Sequence, residues 1–127
     1  MGDRANCIVH QNWWKSDKPP VWLYTHWSGH QLLGMVQRAI QKRWRWNDPA
    51  YLTRIIFDVM TEGRQGEETG FGISTFPQDN EHPYVVVDPR EQEVRLEDPS
   101  SRAVKQRWSF EAFCAAKLPD PYADAAE

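Results

Sequence analysis

The sequence has few of the features that cross-link or anchor a small chain. Its two cysteines, Cys7 and Cys114, lie far apart without metal-ligand spacing, so we expect two reduced thiols. Apolar runs such as residues 55–57 and 85–87 are far too short to span a bilayer. The first residues do not resemble a signal peptide. These absences predict a cytoplasmic protein with no membrane partner.

The chain also has no surplus of basic residues and no familiar catalytic motif. Fifteen Lys and Arg against eighteen Asp and Glu give a net charge of −3, which disfavours bulk nucleic acid as a partner. A glycine-rich phosphate loop, a cofactor fingerprint and a convincing nucleophile are all missing, so we predict a non-enzymatic protein without cofactor or metal. Seven tryptophans exceed what one small core needs, and some should lie at an interface or pocket.

Hydrophobic periodicity predicts a single α+β domain over residues 1–118 and a flexible acidic tail over residues 119–127. The predicted strands cover residues 6–12, 21–27, 70–76, 84–88 and 93–97. The predicted helices cover residues 30–46 and 49–62 and a short segment from residue 110 to 114. The order β-β-α-α-β-β-β-α indicates an antiparallel sheet of about five strands with helices packed on one face.

Three residues have the chemistry of helix N-caps: Ser28, Asp48 and Ser109. Pro49 after Asp48 fits the first helical position, where its missing N–H has no cost. Trp44 and Tyr51 fall on the predicted apolar stripes of the first and second helices. The opposite face of the first helix carries a cationic patch, some of which suits the negative end of the helix dipole. The patch consists of Arg38, Lys42, Arg43 and Arg45.

Two short polar tracts, residues 24–30 and 79–83, hold three of the four histidines where strands give way to turns. Such positions are where binding and catalytic groups are usually found. His26, His30 and His82, with Asp79 or Glu81, have the chemistry of metal ligands, but no two of the histidines share one helical face. Asp79, Asn80 and Pro83 suit an ordinary turn. Glu81 beside His82 leaves an acid–base site open.

Arginines and exposed rings indicate what such a site would bind. Arg54, Arg95 and Arg107 could each be an ordinary surface residue, but arginine also grips phosphate bidentately. Aromatic rings such as Trp27, Phe71 and Phe76 provide stacking platforms for a base. Together these groups suit an anionic small molecule with an aromatic ring, of which a nucleotide is the obvious example.

Four segments carry a resemblance to known proteins: residues 1–6, 24–27, 48–57 and 79–83. They resemble a family of small phage and bacterial proteins, mostly without assigned function, over residue 1 to about residue 113. In size and element order the chain is also similar to the phage sponges that defeat Thoeris defence. As a family, these sponges bind cyclic ADP-ribose-type signals in oligomeric pockets and sequester them without cleavage. Their pocket uses arginines on phosphates, and an aromatic side chain with an asparagine around the base.

The resemblance implies a homo-oligomeric anti-defence sponge in the host bacterial cytoplasm. The first hairpin loop and the arginine-rich end of the first helix depart from the sponge pattern, so a cyclic oligonucleotide is an alternative ligand. The candidate ligand-binding residues are Thr25, His26, Arg54, Phe71, Phe76, Asp79, Asn80, His82 and Arg107.

Two further functions stay open. One is inhibition of a host protein through Trp13, Trp14 and the cationic face between Arg38 and Arg45. The other is a small metal-dependent or acid–base hydrolase. Its catalytic groups would be His26, His30, Glu81 and His82.

Overall fold

The computed structural model describes residues 2–12 and 18–119. Along these residues, two strands are followed by two helices, four further strands and a final helix. The strands are β1 (Ala5–Val9), β2 (Val21–Thr25), β3 (Phe71–Ser74), β4 (Tyr84–Asp88), β5 (Glu93–Glu97) and β6 (Val104–Ser109). The helices are α1 (Leu32–Gln41), α2 (Pro49–Met60) and α3 (Phe110–Ala115).

The strands form one mixed sheet in the order β3-β2-β1-β4-β5-β6. Among the strands of the described residues, the central β1–β4 pair is parallel and the other neighbouring pairs are antiparallel. The predicted α+β class is therefore confirmed, and the sheet, predicted to be antiparallel with about five strands, is mostly antiparallel with six. The prediction missed strand β6, in which five of the six residues are exposed. An exposed strand at a sheet edge does not need the apolar alternation by which strands are recognised.

The three helices pack on one face of the sheet. Main-core side chains on that face include Cys7, Leu23 and Val85 from the strands and Leu33 and Ile56 from the helices. The other face has a smaller apolar cluster of Ile8, Trp22, Tyr84 and Val86. Strand β2 contributes to both faces, since Leu23 packs with the helices while Trp22 belongs to the opposite cluster. Cys7 is buried and Cys114 half-buried, and both are free thiols.

Helix α1 is shorter than predicted. It ends at Gln41 instead of residue 46, and Arg43 follows in the left-handed region with φ 60°. The Arg43 N–H donates to the Ile40 carbonyl at 3.0 Å, which is how a left-handed residue ends a helix. The assignment of Trp44 and Tyr51 to buried stripes was wrong: they are 58% and 48% exposed. Both rings lie on the surface.

Two of the three predicted N-caps are confirmed. The Asp48 side chain accepts from the Tyr51 N–H, and the Ser109 side chain accepts from the Ala112 N–H. Ser28 instead precedes a short 3-10 turn, Gly29–Gln31, and makes no side-chain cap bond. No helix in the described part of the chain is long and apolar enough to cross a membrane. The predicted tail beyond Pro119, and Trp13 and Trp14, lie outside the described residues.

Candidate functional site

The two polar tracts meet at the N-terminal segment of the chain. One oxygen of the Asp3 carboxylate lies 2.6 Å from His30 Nδ1 and accepts from the His30 backbone N–H at 3.1 Å. The other oxygen lies 2.5 Å from Nε2 of buried His82. One carboxylate therefore joins the turn after β2 to the loop before β4. We call Asp3, Arg4, Asn6 and the residues that they hold the N-terminal hub.

Gly29 is required at the centre of this hub. Its N–H donates to the Asp3 carbonyl at 2.7 Å. A Cβ at residue 29 would lie 2.6 Å from both that carbonyl oxygen and His82 Cδ2, closer than non-bonded carbon atoms come. The backbone of the turn can thus approach the N-terminal segment only because glycine has no side chain.

Arg4 holds the outer part of the same loop. Its backbone N–H and Nε donate to Glu81 Oε1 at 2.8 and 3.1 Å, and its Nη1 donates to Asp79 Oδ2 at 3.1 Å. The backbone and side-chain hydrogen bonds from Arg4 lower the pKa of Glu81. Glu81 is therefore held as a carboxylate by a guanidinium, which is a poor arrangement for a general acid.

Asn6 holds the inner part of the loop. Its side chain is fully buried, and Nδ2 donates to the Asp79 carbonyl and to Asn80 Oδ1, both at 3.1 Å. The Asn80 side-chain amide donates in turn to the His82 carbonyl. Polar side chains buried at 0% exposure need such partners. These contacts give Asn80 a structural part in the loop, which the turn interpretation of residues 79–83 anticipated.

His26, the other histidine of the first tract, contacts two aromatic side chains of its own tract. His26 Nδ1 is 2.8 Å from the Tyr24 hydroxyl, and the Trp27 ring packs edge-on against the imidazole with 4.8 Å between centroids. Thr25 is buried, and its hydroxyl accepts from the Ser28 N–H. Over residues 2–12 and 18–119, no group of three or more His, Cys, Asp or Glu side chains is arranged to hold a metal ion.

The remaining candidate residues are spread over the molecule. Arg54 is exposed on α2 and pairs with Asp58 one turn later at 2.5 Å. Arg107 lies on β6 with its side chain 58% exposed and 3.7 Å from Glu93. The register aligns Arg107 with Arg95 and Arg95 with Val86 of the helix-free face. Arg54 is on the helix side of the sheet, so one chain cannot bring both arginines to one small ligand.

Two depressions flank strand β3. The first, which we call the β3 groove, has a volume of about 450 Å³. Its lining includes the Tyr24 ring, the exposed Phe76 ring and Gln78. The Gln78 carbonyl accepts from Asn6 of the hub at 3.4 Å, so the groove and the hub are contiguous. The groove brings Phe76 close to the loop that carries Asp79 and Asn80.

The second depression, about 290 Å³, contains Phe71 and Arg64. The Arg64 guanidinium lies 5.7 Å from the Phe71 ring centroid and donates from Nε to both carboxylate oxygens of Glu67 at 3.0 Å. Phe71 is half-buried and packs against the main core. This arginine is therefore already neutralised by an acid, and Phe71 contributes to packing.

Sequence reasoning located the hub but missed the residues at its centre. Asp3 and Arg4 belong to the opening segment that carries part of the resemblance, yet neither was a candidate site residue. The contacts of the Asp3 and Arg4 side chains described above span 75 to 79 residues along the chain, apart from those to His30, which span 27. Comparison of the chain with protein-family models, curated proteins and solved structures gave no match. Its function must therefore be argued from its own residues.

Proposed function

We propose that this protein binds and sequesters a phosphate-bearing nucleotide signal, without cleaving it, in the β3 groove. The observation that carries the proposal is the placement of Phe76, 62% exposed, with Tyr24 in an open groove contiguous with the hub. A base needs a flat ring on which to stack, and each such contact is worth about 1–3 kcal/mol. As the resemblance implies, the ligand would be of the cyclic ADP-ribose type or a cyclic oligonucleotide, and the role phage anti-defence.

Arg4 is the cation that this hypothesis assigns to the phosphate. Its side chain is partly exposed and pairs through Nη1 with Asp79, whose own side chain is largely exposed. Exposed ion pairs of this kind contribute about 0–1 kcal/mol. A phosphate oxygen can therefore replace the Asp79 carboxylate at little cost, while Nε keeps its bond to Glu81.

The acid and base groups of the hub favour binding over hydrolysis. Asp3 contacts two histidines, Glu81 accepts from Arg4, and the Asn80 amide is used within its own loop. A general base must reach the proton that it abstracts, and these groups are directed towards one another. The arrangement supports a scaffold that keeps the groove rigid.

We also propose that the binding form is a homo-oligomer assembled through β3. Residues 69–78 carry no charged side chain, and Ile73 is 62% exposed at this sheet edge. An uncharged, partly apolar edge strand is a template for pairing with another chain. A second copy on this edge would cover the open side of the groove, which suits tight sequestration in the host cytoplasm.

The test is a thermal-shift screen against cyclic nucleotides, ADP-ribose isomers and NAD, followed by recovery of the ligand after heat release. Ligand at a hundred times its Kd should add about 2.7 kcal/mol of stability. Phe76→Ala should weaken binding at least about tenfold, equivalent to 1.4 kcal/mol. Val104→Ala, at an exposed apolar residue on the opposite edge of the sheet, is the matched control and should bind normally.

The other possible results of these experiments would support a different function or a different site. Turnover of a nucleotide into products, abolished by His82→Ala, would support the hydrolase of His26, His30, Glu81 and His82. Unchanged affinity in Phe76→Ala would remove the β3 groove from the site. A lack of any nucleotide response would favour a protein partner as the sole ligand.

A further inference from the structure

The connection between α1 and α2 contains two arginines in a backbone conformation that is energetically unfavourable for arginine. Arg43 and Arg45 both lie in the left-handed region, with φ 60° and 58°. Glycine enters this region freely, whereas a residue with a Cβ pays about 1 kcal/mol or more. Gln92 and Arg102 also have positive φ, but each stands alone. Two arginines in this conformation within three residues indicate that the arginine side chains have a function that outweighs the backbone strain.

The side chains of this connection form alternating cations and rings. Lys42 Nζ lies 4.9 Å from the centroid of the Trp44 ring, and Arg45 Cζ lies 4.3 Å from that of Tyr51. Trp44 and Tyr51 are both about half exposed. We call residues 42–46 with Tyr51 the cationic–aromatic loop.

The third cation–ring pair, Arg43 and Trp46, attaches the loop to the rest of the protein. Arg43 Cζ lies 5.2 Å from the Trp46 ring centroid, and Trp46 Nε1 donates to the Ile40 carbonyl at 3.0 Å. Trp46 also packs edge-on against buried Phe110. A cation over a ring contributes about 0.5–1 kcal/mol at an exposed position, so these pairs hold the charged groups in place before a partner arrives.

The loop is positive on a chain whose net charge is −3. Two acids neutralise part of it: Glu111 pairs with Arg43, and Asp48 lies 3.8 Å from Arg45. Lys42 and the nearby exposed Arg38 have no acid among the ion pairs of the described residues. The positive potential is therefore local, and it selects for a partner that presents negative charge over a small area.

A depression of about 500 Å³ lies at the start of α2, next to the loop. It is lined by Asn47, Asp48, Pro49 and Ala50 and by Gln11, whose side-chain amide donates to the Thr53 hydroxyl of α2 at 2.9 Å. The first three of these residues directly follow Trp46, so the depression adjoins the loop. It offers room for an apolar or amide side chain between the charged contacts.

We infer that the cationic–aromatic loop is a docking surface for an acidic segment of a protein partner. Tryptophan, tyrosine and arginine are the residues that most often dominate the free energy of protein interfaces. Guanidinium groups pair with carboxylates through two parallel hydrogen bonds, and the rings supply apolar area around them. The inference is independent of the nucleotide proposal, because the loop and the β3 groove share no residue.

The test measures binding of labelled peptides to the full chain by fluorescence anisotropy. The probe is a peptide rich in Glu and Leu, and its comparators are the same peptide with Gln for every Glu and an oligothymidine of equal length. We expect the acidic peptide alone to bind, with an affinity that falls as salt rises. Equal binding of the Gln peptide, or tighter binding of oligothymidine, would overturn the inference.

Variants distinguish the loop from the rest of the surface. Trp44→Ala should weaken peptide binding at least about tenfold, or 1.4 kcal/mol, whereas Val104→Ala at the exposed β6 edge should not. Arg43→Gly with Arg45→Gly should abolish binding while the thermal midpoint stays the same or rises, since glycine relieves the backbone strain. Wild-type affinity in this double variant would contradict the inference, and the retained midpoint excludes unfolding as the cause of a loss.

Discussion

The two edges of the sheet are built differently. The β3 edge is short, four residues long, and residues 69–78 around it contain no charge. The β6 edge is six residues long and carries Lys105 and Arg107, with a register shift opposite Leu96 and Glu97. Lysine and irregularity at an edge are the devices by which proteins prevent unwanted strand pairing. By this criterion β6 is protected by charge and irregularity and β3 only by its short length, so β3 is the edge at which we propose pairing.

The loops next to the two edges also differ in the contacts that hold them. Next to β3, the N-terminal hub holds residues 79–82 by hydrogen bonds that Arg4 and Asn6 donate and by the 2.5 Å contact of the Asp3 carboxylate with His82. Next to β6, the turn after β5 is closed locally by Asp98, whose carboxylate accepts from the backbone of Ser100 and Ser101. Support for the β3 side therefore depends on long-range contacts, and support for the β6 side on neighbours in sequence.

The largest effect is expected from Gly29→Ala. The new Cβ would lie 2.6 Å from the Asp3 carbonyl oxygen, and overpacking of this kind typically costs about 1–3 kcal/mol. We expect a lower thermal midpoint, together with faster amide hydrogen exchange in β3 than in β6. As a control, Gly34→Ala in α1 meets no atom within 4 Å and should not destabilise. Equal acceleration of exchange at both edges would show that the hub does not support β3 selectively.

The next effect concerns self-association. Ile73→Lys places like charges opposite each other in a pair of β3 strands, which should raise the dissociation constant of the oligomer at least about tenfold. Val104→Lys makes the same change at the β6 edge and should leave the oligomer intact. Analytical ultracentrifugation of both variants against the parent protein gives the comparison. A monomeric parent, or dissociation by Val104→Lys alone, would contradict assembly through β3.

A smaller, pH-dependent effect separates the two loops. The pKa of Glu81 is lowered chiefly by hydrogen bonds from the backbone and side chain of Arg4, and that of Asp98 chiefly by the Ser101 backbone N–H. A carboxyl group whose pKa is lower in the folded state stabilises the protein above its unfolded pKa, and the contribution is lost as pH falls through the folded pKa. Protonation of either carboxylate should therefore lower the free energy of unfolding as pH falls below about 4.

The measurement is the urea midpoint between pH 6 and pH 2, with Glu81→Gln and Asp98→Asn compared to the parent. In each variant the urea midpoint should fall less steeply at acid pH than in the parent. Glu81→Gln alone should speed amide hydrogen exchange near residue 79. A pH profile unchanged in both variants would mean that neither loop contributes to acid sensitivity.

Local signals predicted some elements well and others poorly. Asp48 and Pro49 define the start of α2 because both act within one turn of chain, and the cap is present as expected. The end of α1 was missed because Arg43 and Arg45 occupy left-handed positions that glycine or asparagine usually signals. Trp44 was misassigned for the same reason, since the helical period was extended past the true end of the helix.

The candidate site shows the same limit at longer range. His82, Asn80 and Asp79 could be singled out because polar residues beside a turn are conspicuous in sequence. Asp3 and Arg4 could not, because nothing local indicates that they reach a loop more than 70 residues away. The placement of Arg54 and Arg107 on opposite sides of the sheet likewise depends on strand order, which composition and periodicity do not specify.

The smallest effect is expected from Arg107→Ala, and it tests which edge serves the ligand. The Arg107 guanidinium is mostly exposed, and its contact with Glu93 spans 3.7 Å, so its removal should change stability by less than about 0.5 kcal/mol. If the nucleotide lies in the β3 groove of one chain, Arg107 is at the far edge and the Kd should not change. A Kd raised tenfold or more in Arg107→Ala but not in Phe76→Ala would place the phosphate at β6. The charges of that edge would then serve the ligand, and protection against pairing would be a secondary consequence.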